Sequence, residues 1–319
     1  MEKTLVEKLT EASKKFNSIA CFGMDPLPEK IPFGNGFEPS MLYSFFRGIF
    51  DEMEKQGVFP GAVKPNEGFY SRHDGAGGQF DGSKNLRRLV RKAHELNLPV
   101  IFDAKKGDIG RSSKNYAEEL TEVWDADVLT VSPYMGTDSV EPFIKARAAY
   151  VLCRTSNDGA KDFQNLVAMD REKFKAFCKE VDNKNPESVG RALENIAKSL
   201  IPVYMHVAHK IANWYDLNPG NVGAVVGATS LDELKEISAC FVASKKPIPL
   251  LIPGVGKQGG SGKDVAAALR SVGYDLSIVR INSSSELNFA WEKEGKKEDY
   301  AGASVRALKK LNEEIGYKA

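Results

Sequence analysis

Eight short apolar runs, each closed by polar or charged residues and separated from the next by a longer stretch, constrain this chain more than any other feature of it. They occupy residues 19–24, 61–64, 100–103, 128–132, 150–154, 222–227, 249–253 and 276–282. Helical periodicity marks the intervening segments 42–53, 86–96, 113–124, 231–241 and 263–272, and the final segment 303–315. A short apolar strand followed by an amphipathic helix is the βα unit, and parallel strands need such crossovers. Eight units in series predict a (β/α)8 TIM barrel, an α/β fold for which about 250 residues is typical. A doubly wound open sheet shares this alternation and is the competing architecture. The 319 residues exceed the barrel's usual length, and the surplus collects between the fifth and sixth runs. There, residues 155–221 carry two helical stretches around 183–186, read as a helical insertion and not as a second domain. Residues 1–16 space Leu5, Val6, Leu9, Ala12 and Phe16 as one helical face between charged residues, so an N-terminal helix precedes the first strand. Residues 1–319 are therefore expected to form a single barrel domain.

Composition narrows the function. Lys and Arg total 44 against 43 Asp and Glu, a net charge of +1, which offers no field to draw in a nucleic-acid backbone or an anionic membrane surface. No apolar run approaches the roughly 18 residues needed to cross a bilayer. Cys21, Cys153, Cys178 and Cys240 lie far apart without a CxxC pair, which points to reduced thiols, a cytoplasmic location and no zinc. His73, His94, His206 and His209 have no carboxylate spacing that suggests a metal site; His206 and His209, three apart, fit a helix surface. Phe45, Phe46, Phe50 and Trp124 fall at helical spacing and read as packing groups and not as base-stacking ones.

In such a barrel the active site forms where the strands end, so the residues closing each run are the candidates. The third run closes in Asp103-Ala-Lys105-Lys-Gly-Asp108-Ile109, the second in Lys64-Pro-Asn66 and the first in Met24-Asp25-Pro26. Strand alternation would set Asp103 and Lys105 on one face. Two lysines and two aspartates at one rim make an alternating charge array, which keeps each lysine protonated and positions a proton donor. After the seventh run comes Pro253-Gly254-Val-Gly256-Lys-Gln258-Gly259-Gly260, and after the eighth Asn282-Ser-Ser-Ser285. Glycines let backbone amides approach an anion, and barrels commonly hold a phosphate at this position. The stretch 67–82 is long for a βα loop and is a candidate lid.

These motifs resemble the orotidine 5'-monophosphate decarboxylase family, in its longer (type 2) subfamily. The family's Asp-x-Lys-x-x-Asp signature matches Asp103, Lys105 and Asp108. Further matches run in order through Gly23-Met-Asp25-Pro, Lys64-Pro-Asn66, Thr130-Val-Ser-Pro-Tyr-Met-Gly136, Leu152-Cys-Arg-Thr-Ser-Asn157, Val225-Val-Gly-Ala-Thr229 and the Pro253–Gly260 segment. The resemblance covers about residues 17–285. It implies a lyase that decarboxylates orotidine 5'-monophosphate to uridine 5'-monophosphate without a cofactor or metal, in pyrimidine biosynthesis. It further implies that Lys105 protonates C6 of the pyrimidine, with Asp103, Lys64 and Asp108 completing the charge network. Asp25 and Lys64 would hold ribose hydroxyls beside Asn66 and Asn282, Ser112 would stand near the ribose, Ser156 would meet the uracil edge, and Gln258 would bridge base and phosphate beside Pro253, Gly254, Gly256, Gly259 and Gly260. Asp108 and Ile109 would reach into the site of a second subunit, which implies a homodimer with shared active sites.

One position departs from the pattern. Where the family carries a phosphate-gripping arginine after the eighth strand, this chain has Ser285, followed by Glu286. Arg280 lies five residues earlier, deep in the barrel by strand geometry. Two other readings stay open on the residues alone. One is a Mg2+-dependent sugar-phosphate decarboxylase or aldolase of the same superfamily, and the other a nucleotide-binding relic without activity.

Overall fold

Each of the eight apolar runs contributes a strand in the computed structural model, which describes residues 2–33, 36–75, 79–182, 186–256 and 259–319. The strands are β1 Ala20–Met24, β2 Ala62–Pro65, β3 Ile101–Lys106, β4 Val128–Val131 and β5 Ala149–Arg154, then, after a small ribbon of β6 Val167–Ala168 and β7 Ile201–Pro202, β8 Val222–Val226, β9 Leu250–Ile252 and β10 Val279–Ser283. All the long strands pair in parallel, in the order β2-β1-β10-β9-β8-β5-β4-β3. Parallel bridges Val63 to Val100 and Asn66 to Asp103 bring the two ends together, so the sheet is a barrel and not the open doubly wound alternative. The eighth strand starts later than its apolar run suggested, because Leu276–Ile278 is a 3-10 turn capped by the Asp275 side chain.

Period-two alternation sorts the strand residues into two cores. Cys21, Ala62, Ile101, Val128, Tyr150, Val225 and Leu251 point into the barrel, while their neighbours Phe22, Val63, Phe102 and Leu129 face the surrounding helices. Phe45, Phe46, Phe50 and Trp124 pack in that outer layer, as their spacing predicted. Among the described residues eight helices ring the strands: Ser40–Gln56, Asp81–Glu95, Gly110–Glu119 with its π-helical last turn Leu120–Trp124, Thr137–Ala146, Val203–Trp214, Leu231–Ser244, Gly262–Ser271 and Tyr300–Ile315. The insertion is shorter than the sequence suggested. Val203–Trp214 is the fifth barrel helix, so the additional material is the β6–β7 ribbon and the helices Arg171–Asp182 and Pro186–Ser199.

The N-terminal helix, Leu5–Phe16, closes the barrel's lower end. Thr4 and Glu7 form a reciprocal capping box that fixes where it begins. Leu5 and Leu9 insert among the inward-facing strand residues, and the Leu5 and Val6 N–H groups donate to Asn221 Oδ1 and Gly220 O at 2.8 and 3.0 Å. Arg280, fully buried on β10, donates to four carbonyls, those of Gly61, Ser277, Val279 and Leu9, at 2.6–3.2 Å. Burial lowers its pKa to about 10. Arg280 therefore rivets helix, strand and loop at the end of the barrel opposite the strand termini.

Candidate active site

Lys64 is the third residue of β2, and its stem is buried within the barrel wall, so its ammonium emerges at the rim beside Asp103 of β3. Lys64 Nζ donates to Asp103 Oδ2 at 2.7 Å, and Lys105 Nζ donates to Asp103 Oδ1 at 2.6 Å. Asn66 Nδ2 lies 3.4 Å from Asp103 Oδ2. Burial would raise the Asp103 carboxyl, but the two ammonium groups override it and hold Asp103 well below the carboxylate range. Burial would likewise lower Lys64, yet Asp103 and Asp25 keep it above its ordinary value. Asp103 is 7% exposed and Lys64 4%, while about half of the Lys105 side chain is open to the cavity.

Lys105 reaches this position by a route that regular alternation does not supply. The β3–β4 register runs from Phe102–Leu129 to Lys106–Val131, so β3 bulges by two residues between them. Lys105 sits in the bulge with φ of +48°, a left-handed conformation that costs a non-glycine residue about 1–3 kcal/mol. Thr130 of β4, 1% exposed, holds it there. Its Oγ1 accepts the Lys105 N–H at 2.9 Å and donates to Asp103 Oδ1 at 3.0 Å. Sequence reasoning gave Thr130 no role. The available signal was a hydroxyl inside the otherwise apolar run Val128-Leu-Thr130-Val131.

This array lines one wall of a cavity of about 470 Å³ at the C-terminal rim. Asp25, Asn66, Ser156, Pro253, Gly254, Asn282 and Ser285 also line it, together with Thr155, Asn157 and Glu286. Asp25 Oδ1 and Asn282 Oδ1 are buried there without a hydrogen-bond partner among the described residues, and buried acceptors in this state call for donors from a ligand. Ser156 approaches Gly227 so closely that a Cβ at 227 would stand 2.8 Å from Ser156 Cα. That contact requires glycine after β8 and seats the Ser156 loop over the cavity.

Other expected residues lie elsewhere. The amides of Gly256, Gly259 and Gly260 donate to Gly260 O, Gly256 O and Gly254 O at 2.9, 2.8 and 3.1 Å, so the loop satisfies these donors itself and does not offer them to an anion. Gly256 and Gly260 line an adjoining cavity, and Gln258, with Lys257, lies outside the described residues. Asp108 does not join the Asp103 array of its own chain; its Oδ1 accepts the N–H of the next residue, Ile109, at 2.7 Å. Ile109 is 58% exposed, and Ser112, one turn into the following helix, is exposed as well. In the 67–82 stretch, Tyr70 is buried with its hydroxyl donating to Met24 O, and Asp74 Oδ1 accepts the Ser83 N–H, so these parts are anchored and do not form a free lid. Residues 76–78 lie outside the described residues. His94 Nε2 is 3.3 Å from Asp127, and His206 Nε2 is 2.9 Å from Ala168 O, so His206 bonds the insertion ribbon and is not a free surface residue. Among the described residues no group of three or more His, Cys, Asp or Glu is disposed to hold a metal ion. At Asp103 a divalent cation would have to displace two ammonium groups.

Residues 62–279 match the Orotidine 5'-phosphate decarboxylase / HUMPS family. A protein of Halobacterium salinarum named orotidine 5'-phosphate decarboxylase is 34% identical over 311 residues, covering 96% of this chain and 97% of the relative. One of the same name from Bordetella pertussis is 33% identical over 315 residues, covering 98% of each. Among solved structures, an OMP decarboxylase of Leishmania donovani superposes with a TM-score of 0.66 at 26% identity, over 97% of this chain and 99% of that one.

Proposed function

Since the chain belongs to the orotidine 5'-phosphate decarboxylase family, it is a carboxy-lyase that converts orotidine 5'-monophosphate to uridine 5'-monophosphate and CO2 in pyrimidine biosynthesis, and we propose that Lys105 is the group that protonates C6. Loss of CO2 leaves an electron pair in an sp2 orbital at C6, which the ring does not delocalise, so stabilisation has to come from charge placed beside it. The observation that carries the assignment is the Lys64–Asp103–Lys105 array at 2.7 and 2.6 Å on the cavity wall. Asp103 lies between two ammonium groups, so the array carries a net positive charge, and Lys105 is the member most open to the cavity. A preorganised cation stabilises the developing carbanion with little reorganisation and then delivers its proton.

The unpartnered oxygens of Asp25 and Asn282 support a role in accepting ribose hydroxyls, with Lys64 and Asn66 beside them. Ser156, carried on the loop seated against Gly227, is assigned to the uracil edge. Pro253, Gly254 and Ser285, which line the cavity, are assigned to the phosphate. Gln258 is assigned to bridge base and phosphate. Asp108, Ile109 and Ser112 are not among the residues lining their own cavity, and Ile109 and Ser112 are exposed, which supports a homodimer in which they complete a neighbour's site. Tyr134, 89% exposed, and Ile109 give that rim an apolar surface of the kind that subunits cover. Residues 1–319 act as one barrel domain, without cofactor or metal. The net charge of +1 argues against a nucleic-acid partner. No helix among the described residues is long and apolar enough to cross a membrane, and four free cysteines are consistent with a reducing, cytoplasmic setting.

The test is direct: incubation with orotidine 5'-monophosphate should remove the orotate absorbance, and Lys105→Ala should abolish this turnover while nucleotide binding persists. Near-normal turnover in that variant would end the assignment of Lys105.

A further inference from the structure

Resting on the nucleotide reading above, we infer that the Glu286–Lys293 pair replaces the missing arginine, with Lys293 supplying the cation that holds the substrate phosphate and Glu286 keeping it beside the loop when the site is empty. In a barrel the loops after the last two strands are the usual phosphate cradle; here these follow β9 and β10. Three of the glycine amides in the first of these loops are spent on its own carbonyls. The second offers Ser285, which carries no charge, and then Glu286, which is an anion and lines the cavity. Among the described residues the cations lining the cavity are Lys64 and Lys105, and both are bound to Asp103. As it stands, the phosphate end therefore presents a carboxylate to a dianion.

The Glu286 side chain is built against the loop. A Cβ on Gly256, which has φ of +93°, would lie 2.5 Å from Glu286 Cγ, so glycine at 256 makes room for the Glu286 stem. The carboxylate is ion-paired to Lys293 of the helix Ala290–Glu294, and Lys293 has no other ion-pair partner among the described residues. Gly256, Gly260, Glu286 and Lys293 all border the adjoining cavity. The nearby Arg306 is occupied by Glu294 and Asp299. An entering phosphate competes with Glu286 for one ammonium on a flexible stem that is 71% exposed, and the carboxylate, 34% exposed, can turn to solvent. Such a grip depends on charge exchange and not on a fixed bidentate fork.

Calorimetric binding of uridine 5'-monophosphate and of uridine isolates the phosphate contribution as an affinity ratio and does not require turnover. Lys293→Met should lower that ratio about 10- to 100-fold, the range for loss of a charge-assisted hydrogen bond, and should raise KM for orotidine 5'-monophosphate in parallel. Glu286→Gln, which removes the competitor, should raise the ratio. A Lys293→Met protein with an unchanged ratio overturns the inference, as does one in which Lys257→Met alone causes the loss. A wild-type chain that binds the nucleotide no better than the nucleoside overturns it too. Failure of wild-type turnover with the phosphate ratio intact would instead count against the decarboxylase reading.

Discussion

Replacing Thr130 by valine, which matches its shape but has no hydroxyl, tests whether the bulge at Lys105 is held from the neighbouring strand. Two interactions vanish: the Lys105 N–H loses its 2.9 Å acceptor and Asp103 loses a 3.0 Å donor. An unpaired buried amide costs about 1–3 kcal/mol, and a hydrogen bond to a charged group contributes about 1.5–3 kcal/mol. Asp103 Oδ1 keeps the Lys105 ammonium, so the second loss is partly compensated. With the left-handed strain at φ +48° no longer opposed, the ammonium loses its fixed position, and a net loss of about 2–4 kcal/mol is expected at the transition state. That corresponds to a fall in kcat of roughly 30- to 1,000-fold. Affinity for the product nucleotide should change by less than about threefold, because the effect falls on the proton donor and not on ribose or phosphate contacts. Thr130→Ser retains both bonds and should restore most of the rate. Steady-state decarboxylation kinetics and product inhibition read both quantities. If Thr130→Val keeps kcat within threefold of wild type, or Thr130→Ser is equally impaired, Thr130 does not position Lys105.

Mixing inactive Lys105→Ala with inactive Asp108→Ala chains should recover about a quarter of wild-type activity, because in a statistical mixture half the dimers are hybrids with one intact composite site. No recovery despite demonstrated hybrids would place each site within one chain. Ser285→Arg should restore a fixed guanidinium at the phosphate end and raise kcat/KM by an amount equivalent to about 1.5–3 kcal/mol; an unchanged or lower value would mean that residue 285 does not face the phosphate. Acid stability should depend on Asp127. Burial would raise its pKa, but bonds from His94, Lys8 and the Val100 N–H hold it at about 2. A folded pKa below the unfolded one contributes stability above about pH 4 that is lost as the pH falls towards 2, here ~2 kcal/mol. Urea midpoints across that range should decline less steeply in Asp127→Asn, and parallel curves would contradict the account. Arg280→Ala should destabilise the fold by roughly 3–5 kcal/mol through a cavity and unpaired carbonyls, read by urea unfolding, and an effect under 1 kcal/mol would mean those carbonyls find other donors.

The barrel was legible because burial on both faces forces each strand into a short apolar run, and because polar residues can close those runs only at the rim. Asp103, Lys105 and Lys64 were legible for the same reason. The geometry of Lys105 was not, since alternation assumes a regular strand and the bulge arises from register against β4, a tertiary property. Asp108 was read from the strand-end charge pattern as a member of the array, and only its reach into a second subunit followed from the resemblance; nothing local to Asp-Ile-Gly shows that it stays out of the Asp103 array of its own chain. The glycine loop misled for a physical reason: glycines that let amides approach an anion also let the loop fold onto its own carbonyls, and sequence does not separate the two. The insertion was drawn too long because the helices Pro186–Ser199 and Val203–Trp214 are divided only by a two-residue strand.

The N-terminal helix has a consequence for how the chain comes into being. Its Leu9 carbonyl is bound by Arg280, 271 residues later, and its first turn rests on Gly220 and Asn221. At ribosomal speeds of about 5–20 residues per second, roughly 15–55 s separate the emergence of Leu9 from that of Arg280. For that interval Leu5 and Leu9 have no barrel floor to enter, and a twelve-residue helix is marginal on its own in water. A segment translated long before β10 is thus among the last to be seated, and a nascent chain has to keep this apolar stopper from unwanted contacts until the eighth barrel strand arrives to hold it.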